Sequence, residues 1–411
     1  GVVSCWGTTS GTYQPSLSTP QTINFSTGRY AVSVDVGYNG WACSILDNGS
    51  VACWQPISPD SIIPANQVSD SGIVPSGRQA IEVASGFRHR CAILDNLSLV
   101  CAGQNNFGQL GTSASDGYVD LGAGRTAKKI DLGNHHTCAV LDDGSLKCWG
   151  ENNRGQIGLN NAGTFGGTNS YSSPQSVPLP SGRTALDVST GGLHTCVLLD
   201  NYSIMCAGYN HYGQLGFGNA SNYAFLDYVN IPNGVTPSVL FSSEYRTCFI
   251  STESDLYCWG RNDYSEFGTS TSDKFTSPTL IDVGEDVIKA DTGESHICVM
   301  VLNGSVKCWG RNHRGQLGLG NSTDMSTPTT VPNFDTAPPL LAGSIYGRPV
   351  TTTQRKNYTL TANNTFGSSN DTISIEVLPA YDYGNETIWL TRNQTMMPRS
   401  PIITGGPYTA T

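Results

Sequence analysis

The 411-residue chain carries a formal net charge of −10 at pH 7, because 32 Asp and Glu outnumber 22 Lys and Arg. A nucleic-acid-binding protein needs a basic face, and the basic residues here are few and scattered, so the composition excludes that class. No apolar run approaches the roughly 18 residues of a membrane-spanning helix, and no long amphipathic helical periodicity occurs. With 47 glycines and only 13% charged residues, the sequence predicts an all-β protein.

The first recurring motif is Cys-Trp-Gly at residues 5–7, and its most complete copy is HTCAVLDDGSLKCWGENNRGQIG at residues 136–158. Two strand-like segments in that copy flank Asp-Asp-Gly, which suits a three-residue hairpin loop closed by a left-handed Gly144. This register places Cys138 opposite Cys148. Directly opposed Cβ atoms lie about 4.5–5.5 Å apart, so a disulfide across the hairpin is feasible.

The second cysteine of this hairpin recurs with a period near 50 residues. It stands at positions 5, 53, 101, 148, 206, 258 and 308. Short strands and glycine turns at this period are typical of a β-propeller. Six of the seven cysteines have a partner ten residues upstream, and no C-x₂-C pair of a zinc site occurs, so the pattern favours disulfides and an oxidising compartment. The expected bonds are Cys43–Cys53, Cys91–Cys101, Cys138–Cys148, Cys196–Cys206, Cys248–Cys258 and Cys298–Cys308.

The complete string resembles the regulator of chromosome condensation repeat, and the resemblance covers residues 1–334. It includes the glycines before the histidine positions and the Gly-Gln-Leu-Gly corner, in which Ile157 replaces Leu once. That family is known for seven-bladed propellers, and the second-cysteine motif occurs seven times here, so we expect seven blades. Six complete blades plus a stray strand is the alternative. Leu97, Tyr202 and Ser254 stand where the best copy has its turn glycine, and those turns are expected to differ in detail.

Members of that family that exchange nucleotides or bind chromatin work in the nucleus. This acidic, cysteine-paired chain is expected instead to be extracellular or to lie on a cell surface. It resembles more closely the extracellular bacterial or archaeal relatives, in which the propeller serves as a binding or structural platform. Function must therefore be argued from the site and not from the fold.

One position in each hairpin is a candidate for chemistry, because it is often histidine. It lies two residues before the first cysteine and holds His89, His136, His194, His296, Trp41 and Arg246. A residue that recurs once per blade is expected to pack or hydrogen-bond between blades. The sequence contains no Gly-x-Ser-x-Gly, His-Glu-x-x-His or phosphate-loop motif, and a glycosidase-type carboxylate pair stays open among the 32 acids. We expect no enzymatic activity, no catalytic residue, no bound metal and no cofactor.

Four aromatic residues stand in the loops that follow the second cysteines: Phe107, Tyr209, Tyr212 and Tyr264. If they cluster on one face of the propeller, they favour a binding module. If they do not cluster, ordinary packing within each loop explains them.

The cysteines stop near a proline-marked join after residue 334, and the remainder has a different character. Residues 343–379 contain a G-x-I-x-G-x-P start and two segments that alternate at period two. They resemble the second half of the immunoglobulin-like repeats of microbial surface proteins. We therefore assign residues 335–379 to a partial immunoglobulin-like β-sandwich. Residues 380–411 look like the first half of another such repeat, and we assign them to an extended strand segment for assembly.

The chain begins inside one repeat and ends inside another, and two explanations stay open. The sequence is part of a longer surface protein, or neighbouring subunits complete its halves. The preferred hypothesis is an extracellular structural glycoprotein, a filament or surface-assembly subunit that self-associates head to tail by β-strand exchange. The donated segment would present Ile388, Trp389, Leu390, Ile402, Ile403 and Tyr408. The alternative is a secreted or surface propeller that binds a protein or glycan and is carried on an immunoglobulin-like stalk.

Covalent glycans are expected at Asn-x-Ser/Thr sites, most densely in the last 72 residues. The expected sites are Asn24, Asn219, Asn321, Asn357, Asn363, Asn370, Asn385 and Asn393. Four further matches stand at hairpin tips, where Asn-x-Ser is favourable turn chemistry, and they are discounted: Asn48, Asn96, Asn201 and Asn303.

Overall fold

A computed structural model of the chain describes residues 3–7, 17–23, 25, 28–37, 41–54, 69–70, 72–112, 117–159, 169–268, 274–332, 356–364 and 367–375. The described elements are β-strands, as the composition predicts. The chain divides into two compact units, Gly1–Phe334 and Asp335–Thr411.

The described residues of the first unit form six blades, each an antiparallel sheet of three or four strands that follow one another in the chain. Blades 1 and 2 comprise β3 (Ala31–Val36), β4 (Ala42–Leu46), β5 (Val51–Trp54) and β6 (Ser69–Asp70), then β7 (Ala80–Ser85), β8 (His89–Leu94) and β9 (Leu99–Gly103). Blades 3 and 4 comprise β10 (Ala127–Leu132), β11 (His136–Leu141), β12 (Leu146–Glu151) and β13 (Ser170–Val177), then β14 (Ala185–Thr190), β15 (His194–Leu199), β16 (Ile204–Gly208) and β17 (Tyr223–Tyr228). Blades 5 and 6 comprise β18 (Pro237–Ser243), β19 (Arg246–Ser251), β20 (Leu256–Gly260) and β21 (Phe275–Ile281), then β22 (Val287–Thr292), β23 (His296–Val301), β24 (Val306–Gly310) and β25 (Met325–Thr330).

The structure thus shows six blades, which is the alternative, and not the seven that the family resemblance implied. The copy of the second-cysteine motif that belongs to none of the six blades, Cys5-Trp6-Gly7, lies in β1 (Val3–Gly7), which pairs with β2 (Leu17–Ile23) in a separate two-stranded sheet, here called the closing sheet. The motif marks the third strand of a repeat. Its presence therefore says nothing about whether the first and second strands accompany it.

The second and third strands of every blade are joined by a disulfide, as predicted. Cys138 lies directly opposite Cys148 in the β11–β12 register. The six bonds join the six predicted pairs, and their Cα atoms lie 4.1–4.2 Å apart. The separation of ten residues around a three-residue loop is sufficient to fix this pairing.

The hairpin loops that lack glycine were expected to differ in detail, and this expectation was wrong. Gly144 has φ 76°, and Leu97, Tyr202 and Ser254 have φ 64°, 64° and 68°. The same backbone hydrogen bond closes each loop, from Gly144 N to Leu141 O (2.9 Å) and from Leu97 N to Leu94 O (2.8 Å), for example. The disulfide and the strand ladder impose one loop conformation, and non-glycine residues adopt it at a cost of about 1–2 kcal/mol each.

The hydrophobic core lies between neighbouring blades. Ile130, on the innermost strand of blade 3, packs in one cluster with Cys91 and Ile93 of blade 2. Val188, on the innermost strand of blade 4, packs in the same way with residues of the second strand of blade 3. The innermost strand of a blade is therefore buried by the first and second strands of the blade before it.

In the second unit the structure describes one antiparallel hairpin, β26 (Lys356–Asn364) and β27 (Gly367–Ile375). Both fall on segments that the alternating pattern predicts as strands. An immunoglobulin-like sandwich requires two packed sheets, and the described residues of this unit form only one, so that prediction is not supported. The proposed assembly segment, with Ile388, Trp389, Leu390, Ile402, Ile403 and Tyr408, lies outside the described residues.

Candidate binding face

The recurring histidines lie between blades. A hydrogen bond of 2.9 Å joins His194 Nε2 to Thr247 Oγ1 of the next blade, and Thr247 Oγ1 donates in turn to the main-chain oxygen of Gln214. Because the hydroxyl donates elsewhere, the histidine must be the donor. His89 and His136 make the same bond to Thr137 (3.0 Å) and Thr195 (2.9 Å), respectively.

Burial lowers the pKa of His89, His136 and His194 to about 3. These rings are therefore neutral at physiological pH, and the donor role of Nε2 places their single ring proton on that nitrogen. They have the inter-blade hydrogen-bonding role that their recurrence predicts.

Blade 5 replaces this arrangement with a buried ion pair. Arg246 stands at the histidine position, and its Nη2 donates to Glu266 Oε1 at 2.6 Å, with side chains 1% and 0% exposed. Its Nη1 donates to Thr292 Oγ1 at 2.9 Å. Ile297 occupies the place where blades 3 to 5 have a threonine, so a histidine at position 246 would find no hydroxyl there.

Two sets of loops lie side by side at one end of the blades. The loop between the first and second strands receives a backbone hydrogen bond from the end of the third strand, as from Tyr209 N to Leu193 O (2.9 Å) and from Arg261 N to Tyr245 O (3.0 Å). The same contact recurs in blades 2, 3 and 6. Residues of both loops therefore share one surface, here called the loop face.

Buried side chains hold the loops after the third strands in one conformation. The corner glutamine folds back onto its own loop, so that Gln214 Oε1 accepts from Tyr212 N at 3.0 Å. Asn210 Oδ1 accepts from Leu215 N at 2.8 Å across the same turn. Both side chains are fully buried, so the aromatic residues beside them are carried on a rigid support.

The loop face brings the aromatic residues together. The ring of Tyr245 lies 5.0 Å from that of Tyr212 and 6.4 Å from that of Tyr209, measured between centroids. Phe107 lies 4.8 Å from His135, and Tyr264 lies 6.0 Å from His313. Tyr209 and Tyr212 thus cluster through Tyr245, whereas Phe107 and Tyr264 each contact a histidine ring elsewhere on the loop face.

Arginines cover several of these rings. The guanidinium carbon of Arg261 lies 5.4 Å from the ring centroid of Tyr212 and 5.5 Å from that of Tyr245. Arg154 lies over Tyr209 at 5.4 Å, and Arg311 lies over Tyr264 at 4.8 Å, and each arginine comes from a neighbouring blade. The resulting surface consists of half-buried Tyr and Arg side chains, two residue types that are enriched at protein interfaces.

Acidic groups lie beside this surface. Burial, followed by the charge of Glu244, raises the pKa of Tyr245, so its phenol is a neutral hydrogen-bond donor. Burial also raises the pKa of Glu244. Burial lowers the pKa of His135, and the nearby Arg88 lowers it further. The face is therefore a mixture of cationic, neutral polar and aromatic groups.

Sequence reasoning missed half of this face. Phe87, His135 and Tyr245 lie in the loops between first and second strands. Phe87 stands two residues before the position that is often histidine, and the other two stand directly before it. Because they do not recur as one residue type, the repeat pattern gives no signal for them. Among the described residues no cluster of three or more His, Cys, Asp or Glu is placed to hold a metal ion.

The predicted glycosylation sites fall in several places. Asn219 and Asn321 each hold a neighbouring loop, since Asn210 Nδ2 and Asn312 Nδ2 donate to their main-chain oxygens at 3.1 Å. Asn357 and Asn363 lie in β26 and Asn370 lies in β27. Asn24, Asn385 and Asn393 lie outside the described residues. At the discounted tips the asparagine makes turn hydrogen bonds as expected, with Ser50 Oγ donating to Asn48 Oδ1 at 2.8 Å.

Comparison with family models identifies the repeats. A model described as "Regulator of chromosome condensation (RCC1) repeat" matches residues 127–156, 186–214 and 287–316, and a second with the same description matches 143–198, 253–300 and 303–340. These segments are similar to the RCC1 repeat. They lie in blades 3 to 6, where the motif is most complete.

Two solved structures share the fold of this chain. Yeast RCC1 (Prp20), in its complex with Kap60, is 18% identical with a TM-score of 0.67, and the match covers 81% of this chain and 84% of Prp20. Human WBSCR16 is also 18% identical, with a TM-score of 0.65 and coverage of 80% and 94%. At this identity the similarity shows the fold alone.

A curated relative matches a smaller part. A bifunctional serine/threonine-protein kinase/NEDD4-like E3 ubiquitin-protein ligase of Dictyostelium discoideum is 31% identical over 108 residues. The match covers 24% of this chain and 6% of that protein. The shared segment is therefore a small part of the relative, and its activities do not follow for this chain.

Proposed function

We propose that this protein is a secreted or cell-surface binding module, without enzymatic activity, whose loop face recognises a protein partner. The observation that carries the proposal is the clustering of Tyr209, Tyr212, Tyr245 and Arg261 on a rigid support. Half-buried aromatic and arginine side chains supply large contact areas at low entropic cost, and such residues dominate binding energies in interfaces.

The ring faces favour a protein over a glycan. A sugar stacks on an open aromatic face, whereas one face each of Tyr212, Tyr245 and Tyr264 lies under an arginine. The guanidinium groups instead present hydrogen-bond donors suited to carboxylates of a protein partner. Six disulfides support a location in an oxidising compartment, and no helix in the described part of the chain is long and apolar enough to cross a membrane.

The test compares the wild type with Tyr212→Ala and Arg261→Ala in binding to intact cells and to a glycan array. Each variant is expected to weaken cell binding at least tenfold, because hot-spot truncation costs about 2 kcal/mol or more. Arg78→Ala is the matched control, because Arg78 lies by a hairpin tip and pairs with Asp95 at 3.6 Å. Cells treated with protease should no longer bind the wild-type protein, because the treatment removes a protein partner from their surface. Equal binding by the loop-face variants, or binding to glycans alone, would contradict the proposal.

We also propose, as a second function, head-to-tail self-association into a glycosylated homopolymer through strand exchange by residues 381–411. The supporting observation is the exposure of apolar residues on the innermost strand of blade 1, where Val34 is 51% and Val36 is 61% exposed. Deleting residues 381–411 should abolish polymers seen by electron microscopy while the disulfides remain intact. Polymers formed by the truncated protein would exclude this role for the segment.

A further inference from the structure

An asparagine recurs at one position of the hairpin tips between second and third strands. Asn48, Asn96 and Asn201 hold this position in blades 1, 2 and 4, and each begins an Asn-x-Ser sequence. All three residues are exposed. Turn chemistry alone accounts for an asparagine at a hairpin tip. The hydrogen bonds of the tips therefore decide which atoms of the side chain remain available for other chemistry.

The turn uses the oxygen of each carboxamide. Asn48 Oδ1 accepts from Ser50 N at 3.1 Å and from Ser50 Oγ at 2.8 Å. Asn96 Oδ1 accepts in the same way from Ser98 N at 3.3 Å and from Ser98 Oγ at 2.7 Å. The same pair of bonds recurs at Asn201. Because a backbone N–H can only donate, the carboxamide oxygen must face the turn, and the nitrogen must face away from it.

The nitrogen of these carboxamides has no part in the turn. In the described parts of the chain, no hydrogen bond is made by Nδ2 of Asn48, Asn96 or Asn201. Asn303, at the same position in blade 6, differs because its Nδ2 donates to Glu285 Oε2 at 2.7 Å. Three tips thus combine an acceptor sequence, an exposed side chain and an unbonded amide nitrogen.

The acceptor sequence in the long loop of blade 4 does not have this combination. Asn219 is half-buried, and its Nδ2 donates to Tyr223 Oη at 3.4 Å. Asn210 Nδ2 also donates to the main-chain oxygen of Asn219 at 3.1 Å. The hairpin tips are therefore better acceptors than this loop, although both match the same sequence pattern.

The tips are ordered turns that the next blade holds in place. Ala80 N donates to Gly49 O at 2.8 Å, and Ala127 N donates to Leu97 O at 3.0 Å. Gly49 and Leu97 directly follow the tip asparagines of blades 1 and 2. The main chain beside the asparagine is thus bonded to the following blade, while the asparagine side chain stays exposed.

The tips lie at the end of the blades opposite to the loop face. In blade 3, for example, the pairing of the second and third strands runs from His136–Gly150 beside the loop face to Val140–Leu146 at the tip. A strand of six residues such as this second strand spans about 20 Å. A group attached at a tip therefore leaves the loop face uncovered.

We propose that Asn48, Asn96 and Asn201 carry asparagine-linked glycans, which project from the end of the propeller opposite to the loop face. Asn-x-Ser is the acceptor sequence of this modification, which is found on surface loops of secreted proteins. The six disulfides are typical of such proteins. The proposal does not depend on binding by the loop face.

The modification is a group transfer from a lipid-linked oligosaccharide pyrophosphate. The asparagine Nδ2 attacks the anomeric carbon of the first sugar. A carbon–nitrogen bond forms as the bond from that carbon to the pyrophosphate oxygen breaks. The lipid pyrophosphate leaves, and the amide nitrogen gives up one proton. No atom changes its oxidation state in a way that needs a further reactant.

Blade 3 offers a matched gain-of-function variant. Asp143 holds the asparagine position there and is exposed. Its Oδ1 accepts from Ser145 N at 2.9 Å and from Ser145 Oγ at 2.6 Å, so an aspartate forms the same turn. Asp143→Asn completes an Asn-Gly-Ser acceptor and replaces only the second carboxylate oxygen by a nitrogen.

Blade 6 offers the opposite control. Asn312 is fully buried, and its Nδ2 donates to the main-chain oxygen of Asn321 at 3.1 Å. Arg314 is exposed and stands two residues later, so Arg314→Ser completes an Asn-His-Ser acceptor around a buried asparagine. The two variants add the same kind of sequence in contrasting structural settings.

The first measurement is glycopeptide mass spectrometry of native material. The peptides that contain Asn48, Asn96 and Asn201 should each carry a glycan. The second measurement compares variants secreted by cells that glycosylate asparagine. Ser98→Ala should lose one glycan, and Ser98→Thr should keep it. Asp143→Asn should gain one glycan, and secreted Arg314→Ser should gain none. Peptide mapping of the six disulfides shows that each secreted variant is folded.

Three results would overturn the proposal. The first is that the tip peptides of native material are unmodified. The second is that Asp143→Asn gains no glycan, because the tip geometry would then not make an acceptor. The third is that folded, secreted Arg314→Ser is glycosylated as completely as Asp143→Asn, because the acceptor sequence alone would then determine the modification. If Arg314→Ser is not secreted, the native peptides and Asp143→Asn decide the outcome.

Discussion

The buried pair Arg246–Glu266 gives a sharp test of how blade 5 departs from its neighbours. Glu266→Gln restores the residue found in the other corners, so a reading from the repeat alone predicts no harm. The structure predicts the opposite, because the Arg246 guanidinium, 1% exposed, would lose the carboxylate that accepts from its Nη2 at 2.6 Å. Removing one partner of a buried pair costs about 3–5 kcal/mol, since the remaining charge stays buried without compensation.

The stability lost in Glu266→Gln should return only when three residues of blades 5 and 6 are changed together to the residues of the repeat pattern. Arg246→His with Glu266→Gln removes the charge but leaves the histidine facing Ile297, where blades 3 to 5 have a threonine. The unsatisfied donor should cost about 1–3 kcal/mol. Adding Ile297→Thr supplies the hydroxyl and should return stability to near that of the wild type.

Urea unfolding at pH 7.5 with disulfides intact measures these differences as shifts in midpoint at constant slope. Gln175→Glu, at a partly exposed position on β13, is a control for changing an amide to a carboxyl without a buried partner. If Glu266→Gln is as stable as the wild type, or if the double variant equals the triple one, the assigned roles of Glu266 and Ile297 are wrong.

Four further results are expected. Thr195→Val should lower the free energy of unfolding by about 1–3 kcal/mol in urea, because buried His136 loses its acceptor, whereas exposed Thr330→Val should change it little. Leu97→Gly should stabilise by up to about 1 kcal/mol, since relief of the left-handed backbone exceeds the added chain entropy, and a loss of stability would refute strain there. Burial raises the pKa of Asp131 to about 8, so the folded state holds a proton that the unfolded state releases near pH 4. The free energy of unfolding of the wild type should therefore fall, relative to that of Asp131→Asn, as the pH rises from 4 to 8. Parallel pH profiles of the two proteins would exclude this linkage. Glycopeptide mass spectrometry of native material should find more occupied sites among Asn357, Asn363, Asn370, Asn385 and Asn393 than in residues 1–334, and an unmodified tail would contradict the expected distribution.

The disulfides were accessible to sequence reasoning because their geometry is local. A separation of ten residues around a three-residue loop leaves Cys138 one partner within reach, which is Cys148. The same separation occurs in each of the other five hairpins. The number of blades was not accessible in this way. The Cys-Trp-Gly motif reports a third strand, and whether two more strands accompany it depends on residues far from the motif.

The loop face was only half predicted because its parts follow different rules. Phe107 and Tyr212 stand in the conserved-length loop after the third strand, so their shared position could be read from the period. Tyr245 and His135 approach them from another loop, through backbone contacts that no residue type encodes. The sequence does carry a signal for the pairing of Arg246 with Glu266, because both residues depart from the repeat pattern and both stand in the same repeat. Recognising it requires knowing that the two positions touch.

The position of the disulfides has a mechanical consequence. Each of the six bonds lies within a single blade, while the described contacts between blades are hydrogen bonds and apolar packing. Under tension along the chain, covalent bonds would shield only the eleven-residue loop inside each blade and would leave the boundaries between blades to separate first. The propeller would then extend as a series of discrete steps of nearly equal length, each releasing one blade whose central hairpin remains closed until a reductant is added.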